Sequence, residues 1–231
     1  ASHHTLYERL HNLHPSEQQL VGTHIQMPTC QQTFVEDVRA GKVHCGTDGS
    51  VRQNSASHSW VLQSSRTGDF MAGHARTHPV TQKLSSKRPE AAGHAAALIV
   101  VRELLHGYAP SKRTLCIYVD NLAVVRGAST NTHHPSARHT LRPEWDLLQM
   151  ATTLKKTLPI RTVTCWVKGH QDNPTGTRRV PIETLSLPAQ LNCHADHLAT
   201  TQHACKQCVG GTIFHPPAGA QAYIKIAGHT I

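Results

Sequence analysis

The segment from Pro89 to His106 constrains the fold more than any other. Ala91, Ala92, Ala95 to Val101, Leu104 and Leu105 make it apolar around most of a helical circumference. A helix of that kind is packed on several sides, which makes it the central helix of a core and not a surface element. Shortly after it, Leu115-Cys116-Ile117-Tyr118-Val119 runs without interruption to Asp120. A short continuous apolar run reads as a buried strand of the parallel kind, covered on both faces.

The flanking sequence supplies partners for both. Val43–Asp48, Ser57–Gln63 and Asp69–Arg76 are strand-like, and Gly49, Asn54 and Gly68 in the connections suit hairpin turns, so they predict an antiparallel meander. Asn121–Arg126 reads as a short helix. Pro143 suits a first helical turn, and Leu147, Ala151, Leu154 and Leu158 recur at helical spacing. Arg161–Val167 is a further strand, and Pro188 to His203 a last helix with Leu191, Ala195, Leu198 and Ala199 inward. This order predicts an α/β fold with a five-stranded mixed sheet, three antiparallel strands then two parallel, and helices on both faces. Residues 1–42 read as an N-terminal extension, a linker from an upstream domain, with its clearest helix at about Gln31 to Ala40 ended by Gly41. Residues 43–203 form the predicted domain, and 204–231 a tail with one strand candidate, Ala222–Ile226.

Charge narrows the partners. Lys and Arg number 23 against 14 Asp and Glu, a formal +9, which points to a polyanionic partner. Seven cysteines at irregular spacing do not form a disulfide framework and indicate thiols in a reducing compartment, cytoplasm or nucleus. No apolar run has the length of a membrane span. Cys193, His194, His197, His203, Cys205 and Cys208 crowd together, but a second pair at zinc-finger spacing is missing; chance crowding in a chain with 20 His is the plainer reading.

Where acids are scarce, a carboxylate at the edge of an apolar run needs a reason. Asp48 ends the first strand in an Asp-Gly pair, which in isolation is commonly only a turn. Glu90, Asp120 and Asp196 occupy comparable edges, and the predicted sheet places Asp48 beside Asp120 with the other two in reach. Together they would form an oxygen cage for a divalent metal. Mg²⁺, with Mn²⁺ as substitute, prefers such ligands, and two ions suit in-line attack on a phosphodiester.

Thr47-Asp48-Gly49-Ser50, Arg88-Pro89-Glu90, Tyr118-Val119-Asp120-Asn121, Trp166-Val167-Lys168-Gly169-His170 and Asn192-Cys193-His194-Ala195-Asp196-His197-Leu198-Ala199 resemble the successive signatures of the ribonuclease H family. Glu144-Trp145-Asp146, the Lys-Gly-His-Gln-Asp run from Lys168 and Leu191-Asn192-x-x-Ala195-Asp196 are similar to ribonuclease H regions linked to reverse transcriptases of eukaryotic retroelements. The resemblance spans about Val43 to Thr201 and implies a ribonuclease H-like catalytic domain that cuts the RNA strand of RNA–DNA hybrids. It implies Asp48 bridging two metal ions, Glu90 and Asp120 at one of them, Asp196 at the other, and His170 as a mobile histidine that helps proton or product departure. Asp172 competes with Asp196 for the fourth ligand position. Gly49, Ser50, Asn54, Asn121 and Lys168 are the implied nucleic-acid contacts, Asn54 reading equally well as a turn residue. An upstream polymerase domain in the same polypeptide is the implied partner. The family's Lys-rich protrusion is absent between Asp120 and Trp145; the His/Arg-bearing loop Gly127–Arg142 takes its place or is merely solvated. The rival readings are an integrase-like nuclease of the same fold and a non-catalytic nucleic-acid-binding module.

Overall fold

The computed structural model describes residues 5–53, 55–78, 85–129, 142–177 and 179–204, together with 225–226 and 229–230. In chain order these are α1 (Leu6–His11), α2 (Pro15–Val21), β1 (His24–Gln26), α3 (Gln31–Arg39), β2 (Val43–Arg52), β3 (Ser55–Ser64), β4 (Phe70–Thr77), α4 (Lys87–Leu104), β5 (Ser111–Val119), α5 (Leu122–Ser129), α6 (Trp145–Thr157), β6 (Ile160–Trp166), a 3₁₀ turn (Ile182–Thr184) and α7 (Leu187–Gln202). Lys225–Ile226 and His229–Thr230 pair as a separate small hairpin. The main sheet runs β1-β4-β3-β2-β5-β6. β4, β3 and β2 form the antiparallel meander, and β5 and β6 join β2 in parallel, as the sequence order predicts. Of the Ala222–Ile226 strand candidate, residues 222–224 lie outside the described residues.

One strand exceeds the expectation. β1 pairs antiparallel with β4 and makes the sheet six-stranded. Its three residues are too few to show an alternation in sequence. The same N-terminal stretch puts Leu6, Leu10, Val21, Phe34 and Val38 into the core shared with α4. Two buried side chains of β3 tie it there: Trp60 Nε1 donates to the Val21 carbonyl at 3.0 Å, and His58 Nε2 bonds the Leu20 carbonyl at 2.7 Å.

Two helices clamp the central strand β2 closely. On one side α4, buried along nearly its whole length, crosses where Gly49 and Gly93 lie. A Cβ on Gly49 would collide with the backbone of Pro89 and Glu90, and one on Gly93 would come within 2.8 Å of the Ser59 carbonyl. On the other side a Cβ on Gly46 would meet the Leu191 backbone of α7 at 2.7 Å. Serines then fasten α7 to β3. Ser57 Oγ donates to the Ala199 carbonyl and Ser59 Oγ to the Ala195 carbonyl, each at 2.6 Å. Two strand residues span about 6.7 Å and four helical residues about 6 Å, so the repeats of strand and helix match at this pair.

Candidate active site

Asp48 lies on β2 opposite Ser59 and is 5% exposed. Glu90 sits in the first turn of α4, brought to β2 by the Gly49 crossing, and Asp120 follows the last residue of β5. One carboxylate oxygen from each of the three lies within 4.8 Å of the others. Among the described residues no other set of three His, Cys, Asp or Glu side chains converges in this way.

The local chain holds each acid in place. Trp166 Nε1 donates to the Asp120 carbonyl at 3.0 Å, which fixes the end of β5 against β6. Gly169 passes so close that a side chain there would strike the Asp120 carboxylate, which is why the Lys-Gly-His turn needs glycine. Arg88 ties two of the sequence motifs together: it donates to both Asp146 carboxylate oxygens at 2.6 and 3.0 Å, and also to the Pro143 carbonyl. The start of α4, and Glu90 with it, is thereby pinned to the start of α6.

Electrostatics at the cluster are unbalanced. Burial, then the charges of Asp120 and Asp196, push Asp48 up to about 8, with the Gly49 N–H pulling the other way. Burial and the charges of Asp48 and Asp120 raise Glu90 well above the usual carboxylate range. Asp120 is also raised, chiefly by burial, although Glu90, which keeps the proton the two acids share, and His170 pull it down. Glu90 Oε2 is buried with no hydrogen-bond partner among the described residues. Three oxygen donors, all raised and one left unpaired, fit a hard divalent cation, whose charge would reverse each of these penalties.

The fourth acid stands apart from this set. Asp196 raises Asp48 and Asp120, and its Oδ2 lies 3.4 Å from His170 Nδ1. Its side chain is 33% exposed and that of His170 is 71% exposed. His170 has φ +51°, a left-handed conformation that a non-glycine residue holds at a cost and that often marks a functional turn. Asp172 is turned elsewhere: its Oδ1 accepts from the Cys193 thiol at 3.5 Å, and the leading charges on Asp48 and Asp120 include Asp196 and not Asp172.

The residues expected to touch nucleic acid are more dispersed. The Gly49 N–H serves the Asp48 and Glu90 carboxylates. Ser50 is half-buried and Lys168 exposed. Asn121 Oδ1 accepts from the Ala123 and Val124 N–H groups at 3.0 and 3.4 Å, so its side chain caps α5. Asn54 and residues 130–141 of the His/Arg loop lie outside the described residues, as do Cys205 and Cys208. Sequence reasoning assigned no role to Asn192. It is buried on α7 beside Asp120, pulls that acid's pKa down, and keeps its own Nδ2 without a partner of normal hydrogen-bond geometry among the described residues. Its place three residues after Ala189 on the inner face of α7 is the only local signal it carries.

Three solved structures are similar to this chain. One is the N-terminal RNase H domain of rv2228c from Mycobacterium tuberculosis, as a fusion with maltose binding protein, at 17% identity, covering 70% of this chain and 93% of that one with a TM-score of 0.46. A second is RNase H1 from the halophilic archaeon Halobacterium salinarum NRC-1, at 18% identity, 71% and 98% coverage and a TM-score of 0.44. A third is LC11-RNase H1 in complex with RNA/DNA hybrid, at 13% identity, 69% and 95% coverage and a TM-score of 0.45. No family model matches the chain, and no curated protein does. At such identities no residue's role passes from those proteins to this one. Among the described residues no helix is long and apolar enough to cross a membrane.

Proposed function

We propose that the chain is an endonuclease that hydrolyses the RNA strand of RNA–DNA hybrids, as part of a retroelement reverse transcriptase polypeptide with an upstream polymerase domain. The observation that carries the reading is the convergence of Asp48, Glu90 and Asp120 from three separate elements, with their oxygens within 4.8 Å and no cation side chain among them. The five motifs that resemble ribonuclease H supply the substrate class.

Asp48, Glu90 and Asp120, with Asp196 at the outer edge, would hold Mg²⁺, Mn²⁺ substituting. Two such ions supply charge neutralisation at the entering and leaving oxygens of a phosphodiester and ease ionisation of water. The chain's own residues do the rest. Asp48, central in the sheet and clamped by α4 and α7, keeps the carboxylates in one rigid frame. His170, exposed and leaning on Asp196, is placed to carry a proton to or from the reacting phosphate at its Nε2, while Nδ1 faces the carboxylate. Selectivity for RNA would come from short-range contacts to the 2′-hydroxyl by the backbone around Gly49 and Ser50 and by Glu90. The formal +9 supplies the general attraction to phosphates.

The test uses end-labelled RNA presented as RNA–DNA hybrid, duplex RNA and single strand, each with and without Mg²⁺. Cleavage confined to hybrid and dependent on Mg²⁺ is the expected result. Equal cutting of a fully deoxy duplex would replace this reading with an integrase-like one.

A further inference from the structure

On the sheet face crossed by α7, a cavity of about 660 Å³ opens between β3, β4 and α7, roofed by the loop that contains Asn173 and Arg179. Its floor is apolar, from Val61 and Ala72, which pair in register. Two buried amide oxygens of its lining, Gln63 Oε1 and Asn173 Oδ1, have no hydrogen-bond partner among the described residues. Gln63 Nε2 already donates to the Gly68 carbonyl at 3.3 Å, which leaves its oxygen as the group in need of a donor. At the rim stand the one-third-exposed ring of Phe70 and the exposed Arg179. One wall is Asp196, the same residue whose charge acts on Asp48 and Asp120, so the cavity and the carboxylate cluster share a side chain.

An occupant has to satisfy all of these at once. It must offer N–H donors to two carbonyl oxygens, lie flat over an apolar floor, stack on an aromatic ring and place an anionic group near a guanidinium. A volume of this size suits a compact planar heterocycle with a substituent. Every nucleobase carries N–H donors in its plane and a π-face for Phe70, and its phosphate supplies the anion.

We propose that this cavity is a nucleobase site, which holds an unstacked base of the substrate strand or a free nucleotide with its phosphate at Arg179. The proposal deepens the nuclease reading and rests on it for the nature of the polymer. Substrate polarity then follows: a strand whose base is held beside Asp196 is fixed in register relative to Asp48.

The experiment titrates the full chain, ¹⁵N-labelled and in EDTA, with the four ribonucleoside 5′-monophosphates. The expected result is saturable shifts at Gln63, Phe70 and Asn173, with a dissociation constant of about 0.1–1 mM for at least one nucleotide. Thr200→Trp, which fills the cavity from α7, and Arg179→Ala should each weaken that binding about tenfold or more, with the fold checked by circular dichroism. An abasic residue scanned along each strand of a hybrid separates the two sources. One position at which hybrid affinity falls several-fold, and falls no further in Thr200→Trp, assigns a base of the polymer; uniform affinity with nucleotide binding retained assigns free nucleotides. Absence of shifts at these residues for all four nucleotides, or shifts unchanged in both folded variants, overturns the site. Hybrid cleavage without nucleotide shifts removes this site and leaves the ribonuclease reading intact, whereas shifts without cleavage do the reverse.

Discussion

Two clusters of buried acids in this molecule are solved in opposite ways. Where α2 meets the end of α4, Glu17 and Glu103 are both mostly buried, and Arg102 answers them: it donates to Glu17 at 2.7 and 2.9 Å and to Glu103 at 2.8 Å. Arg9 adds a second cation, 3.7 Å from Glu103. The acids hold Arg102 firmly protonated, its pKa raised chiefly by the bond to Glu17. At β2 the acids Asp48, Glu90 and Asp120 gather with no Lys or Arg and have their protons forced onto them. The chain thus has the means to neutralise buried carboxylates and does not use them at β2. A fold that leaves such a cluster unbalanced is arranged for a cation from outside.

The largest expected effect of breaking this contrast is on chemistry. Asp48→Asn keeps the shape and removes the shared charge, so hybrid cleavage in a single-turnover assay should fall about 10³-fold or more, roughly 4 kcal/mol of barrier. Hybrid affinity in a filter assay should hardly change. Arg102→Ala performs the reverse operation on the matched cluster. It leaves Glu17 and Glu103 buried without their main cation and should cost about 2 kcal/mol in urea unfolding, discounted because the guanidinium is partly exposed. Cleavage by folded Arg102→Ala should be near normal.

The clusters should also differ in their response to pH. Asp48 has its folded pKa raised to about 8 from an unfolded value near 3.8, so the folded state binds more protons across that window. Without metal, stability should therefore fall as pH rises from about 4 towards 8 and the penalty be complete above 8. Asp48→Asn should flatten that slope and, in EDTA at pH 8, raise Tm by about 2–8 °C for a relief of about 1–2 kcal/mol. Mg²⁺ should raise the wild-type Tm and leave the variant's largely unmoved. The smallest effect belongs to His170→Ala, which removes a group outside the three converging carboxylates. Turnover should slow about tenfold, about 1.4 kcal/mol, with the Mg²⁺-induced Tm shift retained. Equal loss of that shift in His170→Ala and Asp48→Asn would place the imidazole among the metal ligands.

The contrast also explains what could be read from sequence. Asp48, Glu90 and Asp120 each interrupt or terminate a strongly apolar run, so their positions at element ends were visible, and the meander and the parallel pair followed from period and order. The N-terminal stretch hid its part in the core because it contributes through small pieces: two short helices, a three-residue strand, and the Leu20 and Val21 carbonyls that receive His58 and Trp60. Side chain to backbone bonds between distant segments leave no periodic trace. The Ser57 and Ser59 contacts to α7 are of the same kind, an alternation of serines whose meaning depends on a helix 136 and 142 residues away. Asn192 and the matched Glu17, Arg102 and Glu103 group were equally illegible, since each depends on tertiary neighbours and not on local pattern. Asn121, legible as polar and adjacent to an acid, proved to cap a helix.

The central claim is that the carboxylates at β2 hold protons which a divalent cation displaces. Calorimetric titration of the metal-free protein with Mg²⁺ at pH 7, repeated in two buffers of different ionisation enthalpy, reads this directly. Binding should release about one proton per chain, seen as a buffer-dependent heat, and the release should vanish in Asp48→Asn. Heats that are the same in both buffers, or the same proton release in the variant, would contradict the account.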